Sequence, residues 1–249
     1  MRVRRASPGA RGLAARGPDA LRWLVPARAL ELAGLPALLV RPRGARALLV
    51  LAHGAGAGMR HAFLEGIVAA LATEGIATVR WELPYMAAGS KRPDAPAVAE
   101  AAVQAVWAAT HARFGAALPL FAGGKSFGGR MTSGAHAHAP LAGCAGLVLL
   151  GVPLHPPGKP ALAAARAAHL RATRGRLLFL QGDRDELAPL PRLRPVVAAL
   201  GRRATLHEVA HADHGFDVRV RSGRTAADVR AELARTTAAW MARARSHRA

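Results

Sequence analysis

The stretch GGKSFGGR, residues 123–130, contains the pattern Gly-x-Ser-x-Gly centred on Ser126. Such a pattern is typical of a sharp turn between a strand and a helix, where a serine hydroxyl is exposed as a nucleophile. With 26 glycines in 249 residues, the pattern would arise by chance in about 6% of chains of this composition. Its interpretation therefore depends on a strand before the serine, a helix after it, and an acid and a histidine further along the chain.

Short apolar runs alternate with segments of helical periodicity along most of the chain. The alternation predicts βαβ units, and hence a mostly parallel α/β sheet with helices on both faces. The run 118–124 leads directly into Ser126, and a helical segment follows, so the sequence supplies the expected context on both sides. The predicted strands are residues 37–41, 46–53, 76–81, 118–124, 146–151, 176–182 and 204–210.

Three helices have clear signals in the sequence. Apolar side chains repeat at helical spacing over residues 63–71. We expect Asp94 to cap a helix that ends near Gly115, because a carboxylate can accept hydrogen bonds from the first amides of a helix. A last helix is predicted from about Thr225, with Asp228 in its first turn, where an acidic side chain is favourable.

Composition and cysteine content are those of a soluble globular protein. Hydrophobic residues make up 51% and charged residues 20% of the chain, which is usual for globular domains. The single cysteine, Cys144, lies in an apolar run and is expected to be buried; it excludes an internal disulfide framework and fits a reducing compartment. The longest uncharged run, residues 139–154, is too short to span a membrane comfortably. We find no signal peptide and expect a cytoplasmic protein that does not bind membranes.

The formal net charge of +20 comes mostly from arginines spread along the chain. Such a charge favours anionic ligands and salt-sensitive, non-specific attraction to nucleic acid. Aromatic residues are only 4% of the chain, too few for base-stacking surfaces, so we expect no specific nucleic-acid partner. We find no metal-ligand spacing or nucleotide-binding motif and expect neither a metal nor a cofactor. Residues 1–20 are interpreted either as a flexible basic tail or as the product of an upstream start site, and residues 21–249 as a single domain.

Acidic residues follow the predicted strand 176–182. In α/β-hydrolases the chain order is serine, then an acid, then histidine, with the acid and the histidine on loops after later strands. We select Asp185 as the acid, because a two-residue turn after Gly182 would bring it over the edge of the sheet. Asp183 is the main alternative, and Glu186 is a more distant one.

Histidines follow the last predicted strand, in the stretch VAHADHGF, residues 209–216. A serine hydroxyl is a poor nucleophile at neutral pH unless a base lies within hydrogen-bonding reach. We select His214 as the base, with His211 as the alternative. His214 would take the proton of Ser126, while Asp185 would fix the imidazole tautomer and stabilise the imidazolium.

A tetrahedral oxyanion needs backbone amides that point at the developing negative charge. One donor is expected to be the amide of Phe127, directly after the serine. The second should come from the loop AHGAGAGM, residues 52–59, in which small residues leave amides open. Ala55 and Gly56 are the candidates in this loop.

Several stretches of the chain occur in the order found in one small family. They are LAHGAGAGM, RWELPYM, KRP, GGKSFGGRMTS, GVPLHPPGKP, HL, LQGDRDEL and DHGF, and they extend over about residues 36–218. The chain resembles the α/β-hydrolase-like family of many bacterial proteins, the eukaryotic testis-expressed hydrolase-like protein and a subunit of the non-specific-lethal histone acetyltransferase complex. It is more distantly similar to dienelactone hydrolases. The resemblance implies the α/β-hydrolase fold and supports Ser126, Asp185 and His214 as the catalytic residues.

Cationic side chains surround the predicted nucleophile. Lys125 precedes the serine, and Arg130 lies one helical turn beyond it. His155 and Lys159, in the proline-rich loop 152–160, are expected to overhang the site. Convergent positive groups favour a carboxylate-bearing or otherwise anionic substrate. The alternative is that Lys159 is solvated and Arg130 pairs with a nearby acid.

We therefore expect a single-domain α/β-hydrolase without a large lid. Its reaction would be the cleavage of a small ester, lactone or thioester through an acyl-serine intermediate. An acyltransferase or a hydrolase of carbon–carbon bonds could use the same three residues. A catalytically silent binding scaffold and a nucleic-acid-associated protein are the remaining alternatives.

Overall fold

The apolar runs of the sequence form the strands of one sheet, and helices cover both faces of that sheet. A computed structural model describes residues 25–245, and in it eight strands form one sheet. Neighbouring side chains alternate between the faces, so that Leu48 packs in one buried core and Leu49 in the other. Burial on both faces explains why the central strands are hydrophobic throughout. The strands are β1 Arg28–Leu32, β2 Leu35–Val40, β3 Ala47–Ala52, β4 Ile76–Trp81, β5 Leu120–Lys125, β6 Leu147–Leu150, β7 Leu177–Gly182 and β8 Ala204–Val209.

The strand order in the sheet is β1-β2-β4-β3-β5-β6-β7-β8. β2 pairs antiparallel with both β1 and β4, whereas the six strands β4, β3, β5, β6, β7 and β8 are parallel to one another. The predicted mostly parallel sheet is therefore confirmed, and every predicted strand corresponds to an observed one. The sequence did not indicate β1, because four of its five residues are exposed or half-buried and it lacks a continuous apolar run.

Helices lie on both faces of the sheet. One face carries the first and last helices, which pack on each other through buried residues such as Leu64 and Leu233. The other face carries the helices that bury Val106, Met131 and Leu193. The helices are α1 Ala62–Thr73, α2 Pro84–Ala87, α3 Pro96–Phe114, α4 Phe127–His138, α5 Ala163–Ala167, α6 His169–Ala172, α7 Leu190–Ala198 and α8 Ala226–Arg245, with 3₁₀ turns at Pro160–Leu162, Gly201–Arg203 and Val220–Ser222.

The segment between β6 and β7 carries only short helices. It contains the 3₁₀ turn Pro160–Leu162 followed by α5 and α6. In the described part of the chain, no large inserted domain covers the carboxyl ends of the strands. The expected α/β-hydrolase fold without a large lid is therefore confirmed.

The beginnings of two helices test the predicted caps. The prediction that Asp94 caps α3 is wrong: the cap residue is Ala95, and the Asp94 carboxylate instead accepts the amide hydrogen of Tyr85 at 3.0 Å. Pro96 is the first residue of α3 and has no amide hydrogen that a cap could bind. The last helix begins beside Thr225, as predicted, where the Thr225 amide donates to Asp228 Oδ2 at 2.8 Å.

Two further expectations concern the chain as a whole. Cys144 is buried, as its apolar surroundings predict. None of the helices within residues 25–245 is long and apolar enough to cross a membrane. The predicted basic tail, residues 1–20, lies outside the described residues.

Helix α4 and strand β3 approach each other closely at Gly128. A Cβ atom on Gly128 would lie 2.4 Å from the carbonyl oxygen of Ala52 and 2.5 Å from that of His53. Backbone carbonyls cannot turn aside as a flexible side chain can. Only glycine therefore allows the first turn of α4 to lie against the carboxyl end of β3.

Gly128→Ala is expected to lower the free energy of unfolding by about 3 kcal/mol, because the added methyl group forces two backbone segments apart. Urea denaturation measures this change. Gly54→Ala is the matched control, because its Cβ would be 3.7 Å from the nearest atoms, an ordinary contact. Equal unfolding free energies for the two variants would contradict the close approach at Gly128.

Candidate active site

Ser126 lies on the sharp turn between β5 and α4. Its φ and ψ angles are 51° and −114°, a sparsely populated region in which a non-glycine residue is strained. The Ser126 amide donates to the Leu150 carbonyl at 2.9 Å, which ties the turn to β6. A Cβ atom on Gly124 would lie 2.6 Å from the backbone of Gly128. Gly124 is therefore required by the tightness of the turn, and Gly128 by the close approach of α4 to β3.

Asp185 follows β7 and is buried, with 2% of its surface exposed. Its Oδ1 accepts the Leu187 amide hydrogen at 2.8 Å, and its Oδ2 accepts hydrogen bonds from Gln181 and His214. Burial opposes ionisation of this carboxyl, but its hydrogen bond and charge interaction with His214, the Leu187 amide and the nearby charge of Lys125 outweigh burial and lower its pKa. Asp185 is thus held as a carboxylate.

The alternative acids lie elsewhere. Asp183 and Glu186 are both exposed. The turn after Gly182 brings Asp185 back over the sheet, with the Asp185 amide donating to the Gly182 carbonyl at 3.2 Å. The structure therefore brings Asp185, and not its two sequence neighbours, to the histidine.

His214 joins the carboxylate to the serine. Its Nδ1 lies 2.8 Å from Asp185 Oδ2, and its Nε2 lies 2.8 Å from Ser126 Oγ. A carboxylate can only accept, so Nδ1 carries the hydrogen and the Nε2 lone pair faces the serine hydroxyl. The alternative base, His211, is exposed and takes no part in this chain of hydrogen bonds. The three residues selected from the sequence are thus brought into one connected arrangement.

The loop that carries His214 is fixed on both sides. Asp213 Oδ1 accepts the amide hydrogens of Gly215 and Asp217 at 2.8 and 3.0 Å. The Lys125 ammonium donates to the His214 carbonyl at 2.7 Å. Burial lowers the pKa of Lys125 to about 8, against the raising effect of nearby aspartates. Lys125 was expected to bind substrate; it lines the cavity beside Ser126, but the hydrogen bond that its ammonium donates goes to the histidine loop.

Two backbone amides near Ser126 are candidates for binding an oxyanion. Phe127 is the first residue of α4, and its amide donates no hydrogen bond within the described part of the chain. The same holds for Ala55, which lines the cavity beside the serine. Gly56 does not fit, because its amide already donates to the Tyr85 hydroxyl at 2.9 Å. Ala55 is therefore the remaining candidate from this loop.

Buried polar side chains hold the loop that contains Ala55. His53 is fully buried, and burial lowers its pKa, so that its Nε2 can accept the Leu83 amide hydrogen at 3.0 Å. Glu82 Oε1 accepts the amide hydrogen of Met59 at 3.1 Å. Together with the Tyr85 hydroxyl, these contacts join the loop to the segment 82–85. Ala55 lines the cavity beside Ser126.

Ser126 opens into a cavity of about 460 Å³, within the usual size range of small-molecule sites. Arg130 and His155 line it, as expected from the sequence, and so does Arg166 of α5. Lys159 does not line the cavity, so the expectation that it overhangs the site is wrong. Its amide donates to the Pro156 carbonyl at 3.1 Å in a turn that leaves its side chain exposed.

Sequence reasoning gave no role to several residues that build this site. Glu82 and Tyr85 lie in RWELPYM, which is one of the stretches shared with the resembling family; this was the available signal. Arg166 lies in the alanine-rich segment ALAAARAAHL and had no signal of its own. Its place at the cavity depends on how the segment between β6 and β7 folds back over the sheet.

Solved structures with a similar fold come from several bacteria. A protein from Thermus thermophilus is 24% identical with a TM-score of 0.62, over 87% of this chain and 98% of that one. An alpha-beta serine hydrolase homologue from Coxiella burnetii is 19% identical with a TM-score of 0.66, over 85% and 96%. A dienelactone hydrolase from Anabaena variabilis is 20% identical with a TM-score of 0.65, over 87% and 96%. At these identities the likeness shows the fold alone.

Sequence comparison points to the same fold family. No curated protein matches the chain. A family described as "Alpha/beta hydrolase domain" matches residues 45–242. The matched span contains β3 to β8 and includes Ser126, Asp185 and His214. The chain therefore belongs to the alpha/beta hydrolase domain family.

Proposed function

We propose that this protein is a serine-dependent hydrolase that cleaves a small ester, lactone or thioester through an acyl-serine intermediate. The observation that carries the proposal is the hydrogen-bonded chain from Asp185 through His214 to Ser126, which opens into a cavity. Membership of the hydrolase family supports the same reaction class. The cavity volume fits a small substrate.

In the first half-reaction Ser126 Oγ attacks the carbonyl carbon of the substrate. His214 Nε2 takes the hydroxyl proton as the new C–O bond forms, and the carboxylate of Asp185 stabilises the resulting imidazolium. The carbonyl oxygen becomes an oxyanion, which would accept hydrogen bonds from the amides of Phe127 and Ala55. When the tetrahedral intermediate collapses, the imidazolium gives its proton to the departing alcohol or thiol.

In the second half-reaction water replaces the leaving group. His214, neutral again, takes a proton from the water, whose oxygen attacks the acyl carbon of the ester on Ser126. The second tetrahedral intermediate would use the same two amides. Its collapse breaks the bond to Ser126 Oγ, which recovers its proton from the imidazolium, and the acid product leaves.

The alternative functions differ in what they require of Ser126. A binding scaffold has no need for a serine hydroxyl hydrogen-bonded to a histidine that a buried aspartate holds. An acyltransferase would use the same chain with another acceptor in place of water. We favour hydrolysis, and we propose the reducing cytoplasm as the compartment, which a chain with a single cysteine fits.

Lys125 is proposed to position the base. Its ammonium spans from the end of β5 to the carbonyl of His214 and lies 5.5 Å from the ring centre of Phe216. The strand that carries the nucleophile is thereby bonded directly to the loop that carries the base. This contact keeps His214 Nε2 within hydrogen-bonding distance of Ser126.

The proposed nucleophile is tested with a fluorophosphonate probe, which forms an adduct with an activated serine. The native protein is expected to gain one adduct, on Ser126, whereas Ser126→Ala and His214→Ala are expected to lose labelling by at least about 1,000-fold. Mass spectrometry of the intact protein measures the adduct.

Ser133→Ala is the matched control for labelling. The Ser133 hydroxyl also lies 2.8 Å from a histidine nitrogen, that of His169, but the residue is fully buried. This variant should label as the native protein does. Failure of the folded native protein to label would contradict the proposed hydrolase and favour the scaffold.

The proposed acid is tested by comparing Asp185→Asn with Asp183→Asn. An amide at position 185 would favour the wrong tautomer of His214, so kcat is expected to fall by about 10⁴-fold. Asp183 is exposed, and its replacement should change kcat by less than about 3-fold. Ester hydrolysis measures both, and a large loss confined to Asp183→Asn would reverse the assignment.

The burial of Lys125 predicts a pH dependence of stability. Because the pKa of Lys125 is about 8 in the folded protein against an ordinary 10.5, the unfolded chain binds more protons between these pH values. The native protein should therefore gain stability relative to Lys125→Met as the pH rises through this window, by roughly 2–3 kcal/mol.

Urea denaturation at about pH 7.5 and about pH 10 measures this difference. Lys159→Met, which removes an exposed lysine, is the control and should follow the native curve. Parallel pH curves for the native protein and Lys125→Met would show that Lys125 is not held in a buried, charge-disfavouring position.

A further inference from the structure

The cavity at Ser126 has an unbalanced charge. Three cationic side chains line it, those of Lys125, Arg130 and Arg166, and no aspartate or glutamate among the described residues does. The net charge of the chain is itself strongly positive, at +20. A cleft lined by one sign of charge concentrates ions of the opposite sign.

One of the three cations already has a partner. The Lys125 ammonium donates to the His214 carbonyl. The Arg130 and Arg166 guanidinium groups form no hydrogen bond or ion pair with another residue in the range 25–245. Arg130 Nε is moreover buried without a partner, and a buried donor left unpaired costs free energy.

The nearby acid, Glu100, forms no ion pair with either arginine. Glu100 is the acidic residue whose charge acts on Arg130, but its Oε2 is bonded to His138 Nδ1 at 2.7 Å. Burial, and after it the charge of Arg166, lowers the pKa of Arg130. Both guanidinium groups line the same cavity, and arginine stays protonated under ordinary conditions, so two like charges face one small space.

Arg130 has a fixed relation to the proposed nucleophile. It lies one helical turn after Ser126, and its amide donates to the Ser126 carbonyl at 3.0 Å. The side chains of Ser126 and Arg130 line the same cavity of about 460 Å³. A group bound at Arg130 would therefore belong to the same small molecule as the bond under attack.

We propose that Arg130 and Arg166 form an anion-binding subsite, which selects substrates that carry a carboxylate or phosphate group near the scissile ester. The N–H groups of a planar guanidinium can donate two parallel hydrogen bonds to the oxygens of a carboxylate or phosphate. Two guanidinium groups from different helices would fix the orientation of the bound anion. The subsite rests on the proposed function for its role in turnover, but its binding of anions is independent of catalysis. Two other polar side chains of the cavity, those of His155 and Lys125, already form hydrogen bonds with the backbone carbonyls of Pro156 and His214. We therefore do not include them in the subsite.

Binding is tested in Ser126→Ala, which cannot turn an ester over. Monoethyl glutarate and phenyl phosphate are titrated separately into this protein by calorimetry in about 0.15 M salt, which screens long-range attraction. At least one ligand is expected to bind, and adding Arg130→Gln or Arg166→Gln should weaken its binding by at least about 10-fold. The ligand that binds identifies carboxylate or phosphate as the group recognised.

Arg171→Gln in the same background is the matched control. Arg171 is exposed on α6 and does not line this cavity, so the variant loses the same charge without touching the subsite. It should bind as the parent does. Absence of binding by both ligands, or an equal loss in Arg171→Gln, would overturn the proposal.

Turnover is tested with matched esters in the enzyme that retains Ser126. The ratio of kcat/KM for a p-nitrophenyl half-ester of glutarate to that of its methyl-capped analogue should fall at least about 10-fold in Arg166→Gln. An unchanged ratio would overturn a carboxylate-selective subsite. If Ser126→Ala binds the anion through both arginines but the native protein hydrolyses no ester, the subsite stands and the proposed function fails.

Discussion

The backbone at Ser126 is the constraint on which the rest of the site depends. A serine at positive φ is strained, and the turn that holds it admits no Cβ atom at Gly124 or Gly128. The strain persists because β5 is paired on both sides, with β3 and β6, and is buried on both faces. The chain reverses directly at the end of this strand and exposes the hydroxyl at the carboxyl edge of the sheet. The loops after β3, β7 and β8 begin at the same edge. Every other group in the site is placed relative to that fixed point.

The histidine is placed by a different kind of interaction. Ser126 is fixed by the strand that carries it, whereas His214 lies on a loop after the edge strand β8 and needs contacts from elsewhere in the chain. The hydrogen bond from Lys125 supplies one, and stacking of Phe216 on Phe63, with ring centres 5.4 Å apart, supplies another. The first costs free energy, since an ammonium is buried for it. A weak point in stability thus coincides with the contact that holds the base in place.

The sequence predicted those features that depend on local pattern. Continuous apolar runs identified the inner strands, and the length of the turn after Gly182 favoured Asp185 over its neighbours. Prediction failed where a distant residue decides the outcome. The Gly56 amide donates its hydrogen bond to the hydroxyl of Tyr85, which follows β4. Asp94 accepts the Tyr85 amide hydrogen instead of capping α3. Arg166 reaches the cavity only through the folded path of its segment, which no spacing in the sequence reveals.

The elements of the site divide the cavity between two parts of the chain. The proposed nucleophile, acid, base and oxyanion donors come from loops after β3, β5, β7 and β8, whereas Pro153, His155 and Arg166 all come from the segment between β6 and β7. Arg130 stays on the helix that follows the proposed nucleophile, but the other half of the proposed anion subsite lies on one continuous segment that can vary apart from the chemistry. Substitution, lengthening or replacement of that segment can change which small molecule the cavity accepts without altering the hydrogen-bonded residues that would carry out the reaction.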